Sequence, residues 1–365
     1  MVKITVSEKK TINYHDEQNK ENILKMRAVL DTLPEFCKSF FLGVSEYTSA
    51  RTRLAYAYDI RLFFEYLHER NSVCAKMDIK DYPISLLDQV TRFDIEEYLE
   101  YLTLYRHDGK EITNDERGKC RKLASLRSFY NYFFQTEQIQ SNPASLVKLP
   151  KRHEKEIIRL EPNEVAILLT QVEDGSKLTK KELEYHKKNR LRDVAIMTLL
   201  LGTGIRVSEC VGLDLTDVDF DTDGIKIRRK GGYEAIVYFG NEVETALLGY
   251  LEEREHVHPV SGHENALFLS LQNKRINVRS VEKLVKKYAS RMTSLKKITP
   301  HKLRSTYGTN LYRESNDIYL VADVLGHKDV NTTRKHYAAQ EDANRRKAGQ
   351  MVRLRESSDD KESTP

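Results

Sequence analysis

Apolar residues recur at helical spacing through the first part of the chain. Ile60, Phe63, Phe64 and Leu67 stand at i, i+3, i+4 and i+7, which lays one apolar stripe along a helix face. Thr91 is placed to cap the next helix, with Asp94 three residues on and Ile95, Tyr98, Leu99 and Leu102 behind it. A third stripe runs through Leu123, Leu126, Tyr130, Phe133 and Phe134. Asn142-Pro143 ends the block, because the residue before a proline is pushed out of the α region. The pattern predicts an all-α bundle over residues 35–148, preceded over 1–34 by a polar arm, or by a loosely held strand and helix.

The run LPKRHEKEIIR (Leu149–Arg159) is polar and basic and carries Pro150, which predicts an interdomain linker over 149–158. Helical signals then return. Glu161-Pro162-Asn163 leads into a helix through Val165–Leu169, and Thr179 with Glu182 has the spacing of a capping box opening a charged surface helix. Leu191–Leu201 is the most apolar helical stretch and the predicted core. One clear β signal follows. Ile225 and Ile227 alternate with charged residues, Gly231-Gly232 intervenes, and Ile236–Phe239 is again extended, which reads as a hairpin. Helices resume from residue 240, and the polar composition at the end predicts a disordered tail over 351–365. The expected architecture is mainly α with a small sheet, as a helical domain joined to a larger domain over 159–350.

Composition narrows the class without naming a function. Sixty Lys plus Arg against fifty-five Asp plus Glu leaves +5 over 365 residues, too mild an excess to identify nucleic acid as the partner. An apolar share of 39% with 32% charged suits a soluble helical protein and excludes collagenous and wholly disordered classes. No apolar run approaches the roughly 18 residues of a membrane span. The N-terminal stretch has no apolar h-region, so a cytoplasmic location is expected. Cys37, Cys74, Cys120 and Cys210 lie far apart, which argues against zinc and against a disulfide framework. His-Glu-x-x-His, Gly-x-Ser-x-Gly and Walker patterns are missing, so metal hydrolase, serine hydrolase and NTPase drop out. Gly202-x-Gly204 lacks the strand and helix context of a dinucleotide site.

Three segments carry candidate chemistry. In GTGIRVSEC (Gly202–Cys210) a glycine-rich turn delivers Arg206 as a helix begins. In TPHKLRSTYGTNL (Thr299–Leu311) Thr299 is a natural N-cap, Pro300 suits the first helical position, and His301 and Arg304 share one face of the first turn. In LGHKDVNTTRKHY (Leu325–Tyr337) His327 follows a glycine, and Asn331-Thr332-Thr333 can cap a short helix carrying Tyr337. Each alone has a blander reading: a structural ion pair, a packed histidine, a core tyrosine.

In this order and at this spacing, the three segments resemble the catalytic motifs of the tyrosine recombinase (phage integrase-like) family. The family pattern is filled by Arg206, Lys230 on the hairpin, His301 with Arg304, His327 and Tyr337. The resemblance runs over residues 35–350, and it implies a helical, SAM-like core-binding domain before the catalytic domain. Within the family the chain is similar to the bacterial Xer-type recombinases. The charged helix in LTKKELEYHKKNRLRDVAI resembles the single-recombinase Xer branch of some Gram-positive bacteria. Tyr337 lies ten residues after His327 where many members have nine; His336 fills the nine-residue position but cannot be the nucleophile in this chemistry, and Tyr337 is the only tyrosine close enough to serve.

The resemblance implies that Tyr337 attacks the scissile phosphate and forms a 3′-phosphotyrosyl link without metal, ATP or other cofactor. Arg206 and Arg304 then bind the non-bridging oxygens, His301 and His327 bind the phosphate or assist proton transfer, and Lys230 protonates the 5′-oxygen. Arg228 and Arg229 are rivals for the lysine's role, and Glu209 orients Arg206. The expected partner is a double-stranded recombination site, with a homotetramer on two sites joined through the C-terminal helix. Lys151, Arg152 and Lys155 of the linker are the expected DNA contacts, with further basic clusters at Lys283–Arg291 and Asn344–Lys347, and base reading by side chains around Lys122–Arg127 and of the C-terminal domain. The expected task is Xer-like chromosome dimer resolution. The alternatives are integration or excision of a mobile element, a type IB topoisomerase, and an inactive DNA-binding protein.

Overall fold

The computed structural model describes residues 14–151, 158–229, 231–292, 296–327 and 329–331. Two compact units divide the chain, one over Ile12–Lys155 and one from Glu156 onward. The expectations for Arg152, Lys155, Lys230, His336 and Tyr337, for residues 344–347 and for the tail over 351–365 lie outside the described residues.

The first unit holds α1 (Tyr14–Leu30), α2 (Cys37–Gly43), α3 (Ala50–Arg70), α4 (Leu86–Gln89) and α5 (Arg92–Tyr101), then β1 (Leu104–His107), β2 (Lys110–Thr113), α6 (Glu116–Gln135) and α7 (Pro143–Leu146). The stripe Ile60, Phe63, Phe64, Leu67 is buried on α3, and Leu123, Leu126, Tyr130 and Phe133 are buried on α6. Phe134 stays exposed. Phe129, one position from the expected stripe, takes the central place instead, with its ring 5.2 Å from Phe40 and 5.0 Å from Phe133 in edge-on contacts. Thr91 and Asp94 form the capping box.

Three expectations are corrected here. Residues from Tyr14 on are no arm: α1 packs along α3 and buries Val29 in the bundle core. The unit is also not wholly α, because β1 and β2 pair antiparallel, with Tyr105 opposite Ile112. Asp108 and Gly109 both take positive φ at its turn (50° and 73°), as a two-residue hairpin loop requires. Finally, Asn142 does leave the α region, but Pro143 then opens α7 at its first position instead of simply ending a helix.

The second unit holds α8 (Pro162–Asp174), α9 (Lys180–Lys187), α10 (Arg190–Thr203), α11 (Val207–Gly212), β3 (Val218–Asp219), β4 (Gly224–Arg228), β5 (Glu234–Tyr238), α12 (Asn241–Glu255), α13 (Val278–Met292), α14 (Pro300–Ser315) and α15 (Ile318–Leu325). Helix α10, with Ala195, Ile196, Met197, Leu199 and Leu200 buried, packs against α8, α12 and α14. The hairpin is present as β4 and β5, with β3 added on the far side of β4. Its register sets Ile225 opposite Val237 and Ile227 opposite Ala235, so one face is apolar and buried.

Charged side chains join the helices of this unit. Asp193 on α10 is buried. It accepts from Arg192 Nη2 at 2.7 Å, from Lys287 Nζ at 3.1 Å and from Tyr288 Oη at 2.9 Å, the latter two on α13. His186 of α9 reaches the same tyrosine at 3.0 Å. Replacing Asp193 by asparagine keeps the shape but removes the charge that two cations share. Asp193→Asn is expected to cost about 1–3 kcal/mol of stability, read as a shifted urea midpoint with an unchanged slope.

Candidate active site

The site is built around the C-terminus of α15, where four backbone carbonyls lack helical partners. Gly326, in the left-handed conformation (φ 60°), ends the helix, with the N–H of His327 bonded to Ala322 O at 2.9 Å and its own N–H to Asp323 O at 2.8 Å. This is a Schellman motif, and it satisfies two of the four carbonyls. Arginines satisfy the other two. Arg229 Nη2 donates to Val324 O at 2.8 Å, and Arg304 Nη2 donates to Leu325 O. Cations at a helix C-terminus also oppose the negative end of its dipole.

Arg304 makes a second bond, from Nη1 to Gly204 O at 2.7 Å, and is only 5% exposed. It therefore ties the turn before Arg206 to the turn before His327. Gly204 is in the left-handed region (φ 64°), and a Cβ there would lie 2.3 Å from the Tyr307 ring, so both backbone and space require glycine. The turn delivers Arg206 to the N-cap of α11. There Glu209, buried, accepts the Arg206 N–H at 2.7 Å and Nη1 at 2.7 Å. Arg206 itself is partly exposed, so its guanidinium is aimed by a buried carboxylate while still open to a ligand. The expected orienting role of Glu209 has this geometry.

His301 is exposed on the first turn of α14, one turn before buried Arg304, and His327 is half-buried. Thr299 is the N-cap residue of α14 in extended conformation, but its side chain makes no capping bond. The turn after His327 also differs from expectation. Val330 and Asn331 are already helical, and Asp329 Oδ1 accepts from Asn331 N–H at 2.9 Å, so Asp329 and not Asn331 is the capping side chain.

The structure thus brings Arg206, Arg304 and the His327 turn to one place. Arg229, a rival to Lys230 in the sequence, is instead bonded to α15 carbonyls nearly a hundred residues away, contacts that leave no local signal. Of the basic candidates, Lys151 is exposed. In the segment expected to read bases, Lys122 is buried and bonds Asn114 Oδ1 at 2.8 Å, while Arg127 donates to the carbonyls of Ala144 and Val147 and so holds α7. In Lys283–Arg291, Lys287 and Arg291 pair with Asp193 and Glu182, leaving Lys283 and Lys286 as the exposed lysines of that run. Among the described residues no cluster of His, Cys, Asp or Glu is arranged to hold a metal ion, and no helix is long and apolar enough to cross a membrane.

Comparison with known proteins gives the same motifs a family. The model of the phage integrase family matches residues 159–344. A tyrosine recombinase XerC of Caldanaerobacter subterraneus subsp. tengcongensis is 35% identical over 297 residues, covering 78% of this chain and 77% of that protein. A tyrosine recombinase XerS of Lactococcus lactis subsp. cremoris is 30% identical over 355 residues, covering 87% of this chain and 94% of that protein. Among solved structures, the Tn1549 transposon integrase in complex with circular intermediate DNA matches the fold with a TM-score of 0.58 at 22% identity, over 82% of this chain and 94% of that one. From the match over the whole second unit's motifs and from relatives of this identity and coverage, the chain belongs to the phage integrase family, as a tyrosine recombinase of the Xer/integrase type.

Proposed function

We propose that the protein is a site-specific DNA recombinase that cuts and rejoins strands through a 3′-phosphotyrosyl intermediate. The observation that carries this reading is the convergence of the Arg206, Arg304 and His327 segments on the end of one helix. Tyr337 is the nucleophile. Its oxygen bonds to the scissile phosphorus while the bond to the 5′-oxygen breaks, and the reverse attack by a 5′-hydroxyl rejoins the strand without an external energy source. A phenol has an ordinary pKa near 10, so positive charge close to the reacting oxygen is what would favour its ionised form. Arg206 and Arg304 offer planar forks to the non-bridging oxygens, which a lysine cannot imitate. His301 and His327 bind the phosphate or assist proton transfer, and Lys230 protonates the departing oxygen.

Residues 35–148 then serve as the core-binding domain and 159–350 as the catalytic domain, with Lys151, Arg152 and Lys155 of the linker on DNA phosphates. The likeness to proteins named tyrosine recombinase XerC and XerS over most of the chain supports a task of the Xer type; chromosome dimer resolution in the cytoplasm, by a tetramer on two sites joined through the C-terminal helix, belongs to the same proposal. The test is trapping on a nicked duplex carrying the site that the protein itself selects from a random-sequence library. The expected result is a denaturation-resistant adduct on the 3′ end of the cut strand with a free 5′-hydroxyl opposite. Binding without any adduct overturns the reading in favour of an inactive DNA-binding protein. Relaxation of supercoiled DNA irrespective of site overturns it in favour of a topoisomerase.

A further inference from the structure

We infer that Arg229 is a positioning residue for the cleavage step, clamping the end of the β4–β5 hairpin onto the C-terminus of α15. The inference rests on the recombinase reading, since the residue that follows it in the chain is Lys230. The clamp sits where the strand ladder runs out. Arg228 opposite Glu234 is the last pair, and beyond it the turn is closed by Arg229 N–H to Tyr233 O at 2.7 Å and Gly232 N–H to Arg229 O at 3.1 Å. Gly231 and Gly232 both have positive φ (99° and 85°), so this turn has little stiffness of its own.

The guanidinium supplies what the backbone lacks. It donates Nη2 to Val324 O at 2.8 Å and Nη1 to Asp323 O at 3.4 Å, two carbonyls of α15. It also fills the space above Gly326, where an added Cβ would lie 1.3 Å from Nη1. Glycine at 326 suits the left-handed φ, and any larger residue there would push the arginine that lies on it away from its present place. Burial lowers the Arg229 pKa, as does the positive charge of Arg206, while the Glu209 carboxylate raises it, which places the side chain within the field of the Arg206–Glu209 pair. A cation held half-buried beside another cation is costly, and the carbonyl end of the helix offsets that cost.

Holding Arg229 in this way anchors the chain at the residue immediately before Lys230, which the recombinase reading makes the proton donor to the leaving group. As Tyr337 oxygen bonds to phosphorus, the P–O5′ bond breaks with its electron pair on oxygen, and Lys230 supplies the proton. A displacement of about 1 Å in such a group costs on the order of 10²-fold in rate. If sulfur replaces the bridging 5′-oxygen, the pair leaves as a thiolate that needs no proton, because a thiol is far more acidic than an alcohol.

The experiment measures single-turnover adduct formation by the full chain on the nicked duplex described above, with bridging oxygen or bridging sulfur. Arg229→Ala and Arg229→Gln are compared with wild type, with DNA affinity and melting temperature measured alongside. The expected result is a rate about 10- to 100-fold lower on the oxygen substrate and within about threefold of wild type on the sulfur substrate. An unchanged rate on oxygen overturns the clamp, and so does an equal loss on both substrates, which would place Arg229 on the phosphate or in general stability. The glutamine variant, which keeps two N–H donors, serves if the alanine variant does not fold. A wild type that forms no adduct overturns the recombinase reading and this inference together, whereas a wild-type adduct with a normal Arg229 variant overturns the inference alone.

Discussion

Tyr337→Phe is expected to bind the selected duplex as tightly as wild type and to form no covalent adduct. Phenylalanine keeps the ring and removes only the oxygen that would bond to phosphorus, so packing and charge are preserved while the chemistry has no nucleophile. Water attack aided by the same arginines would give cleavage without attachment, at a rate lower by at least about 10⁴-fold, since nucleophile and phosphate positioning are lost together. The spacing gives the experiment a second use. Tyr337 lies ten residues beyond His327, and His336 stands one position nearer. A histidine attached to phosphorus would be an acid-labile phosphoramidate, whereas a phosphotyrosyl bond survives acid. An adduct persisting in Tyr337→Phe would move the nucleophile to another residue, and its acid stability would say which type.

Part of the fold and of the site is legible in the sequence and part is not, for physical reasons. Local signals were readable because they depend on neighbours a few positions away. The capping boxes of Thr91 with Asp94 and Thr179 with Glu182, the stripe of α3, and the Gly231-Gly232 hairpin all formed where the spacing placed them. The missed hairpin of β1 and β2 carried its signal in Asp108-Gly109, but strands of four residues with one buried side chain have almost no alternation to read. In α6, charge alone does not show what the side chains do. Lys122 and Arg127 look like a basic helix face, yet their partners are Asn114, Ala144 and Val147, which only the folded unit brings near. At the site, the identities of Arg206, Arg304 and His327 were readable from motif order. What joins them, a set of backbone carbonyls at the end of α15, carries no side-chain signature. Helix ends must find hydrogen-bond partners, but the sequence does not say which arginine supplies them.

Arg304→Ala is expected to be the most damaging substitution among the described residues. Arg304 is nearly fully buried and donates to Gly204 O and Leu325 O, so truncation strands two carbonyls in the interior and opens a cavity beside α14. The structural cost is about 1–3 kcal/mol for each buried acceptor left unpaired. The chemical cost adds to it. A preorganised donor to the phosphate is worth about 3–4 kcal/mol, or on the order of 10²–10³ in rate. The two losses are separable. Arg304→Lys retains a positive charge but offers no planar fork, so it should recover part of the stability and little of the cleavage rate. Urea unfolding and single-turnover adduct formation, measured on wild type and both variants, distinguish the contributions. If Arg304→Lys cleaved near the wild-type rate, Arg304 would be a structural staple only, and phosphate neutralisation would fall to Arg206, held by Glu209 on the other side of the Gly204 turn.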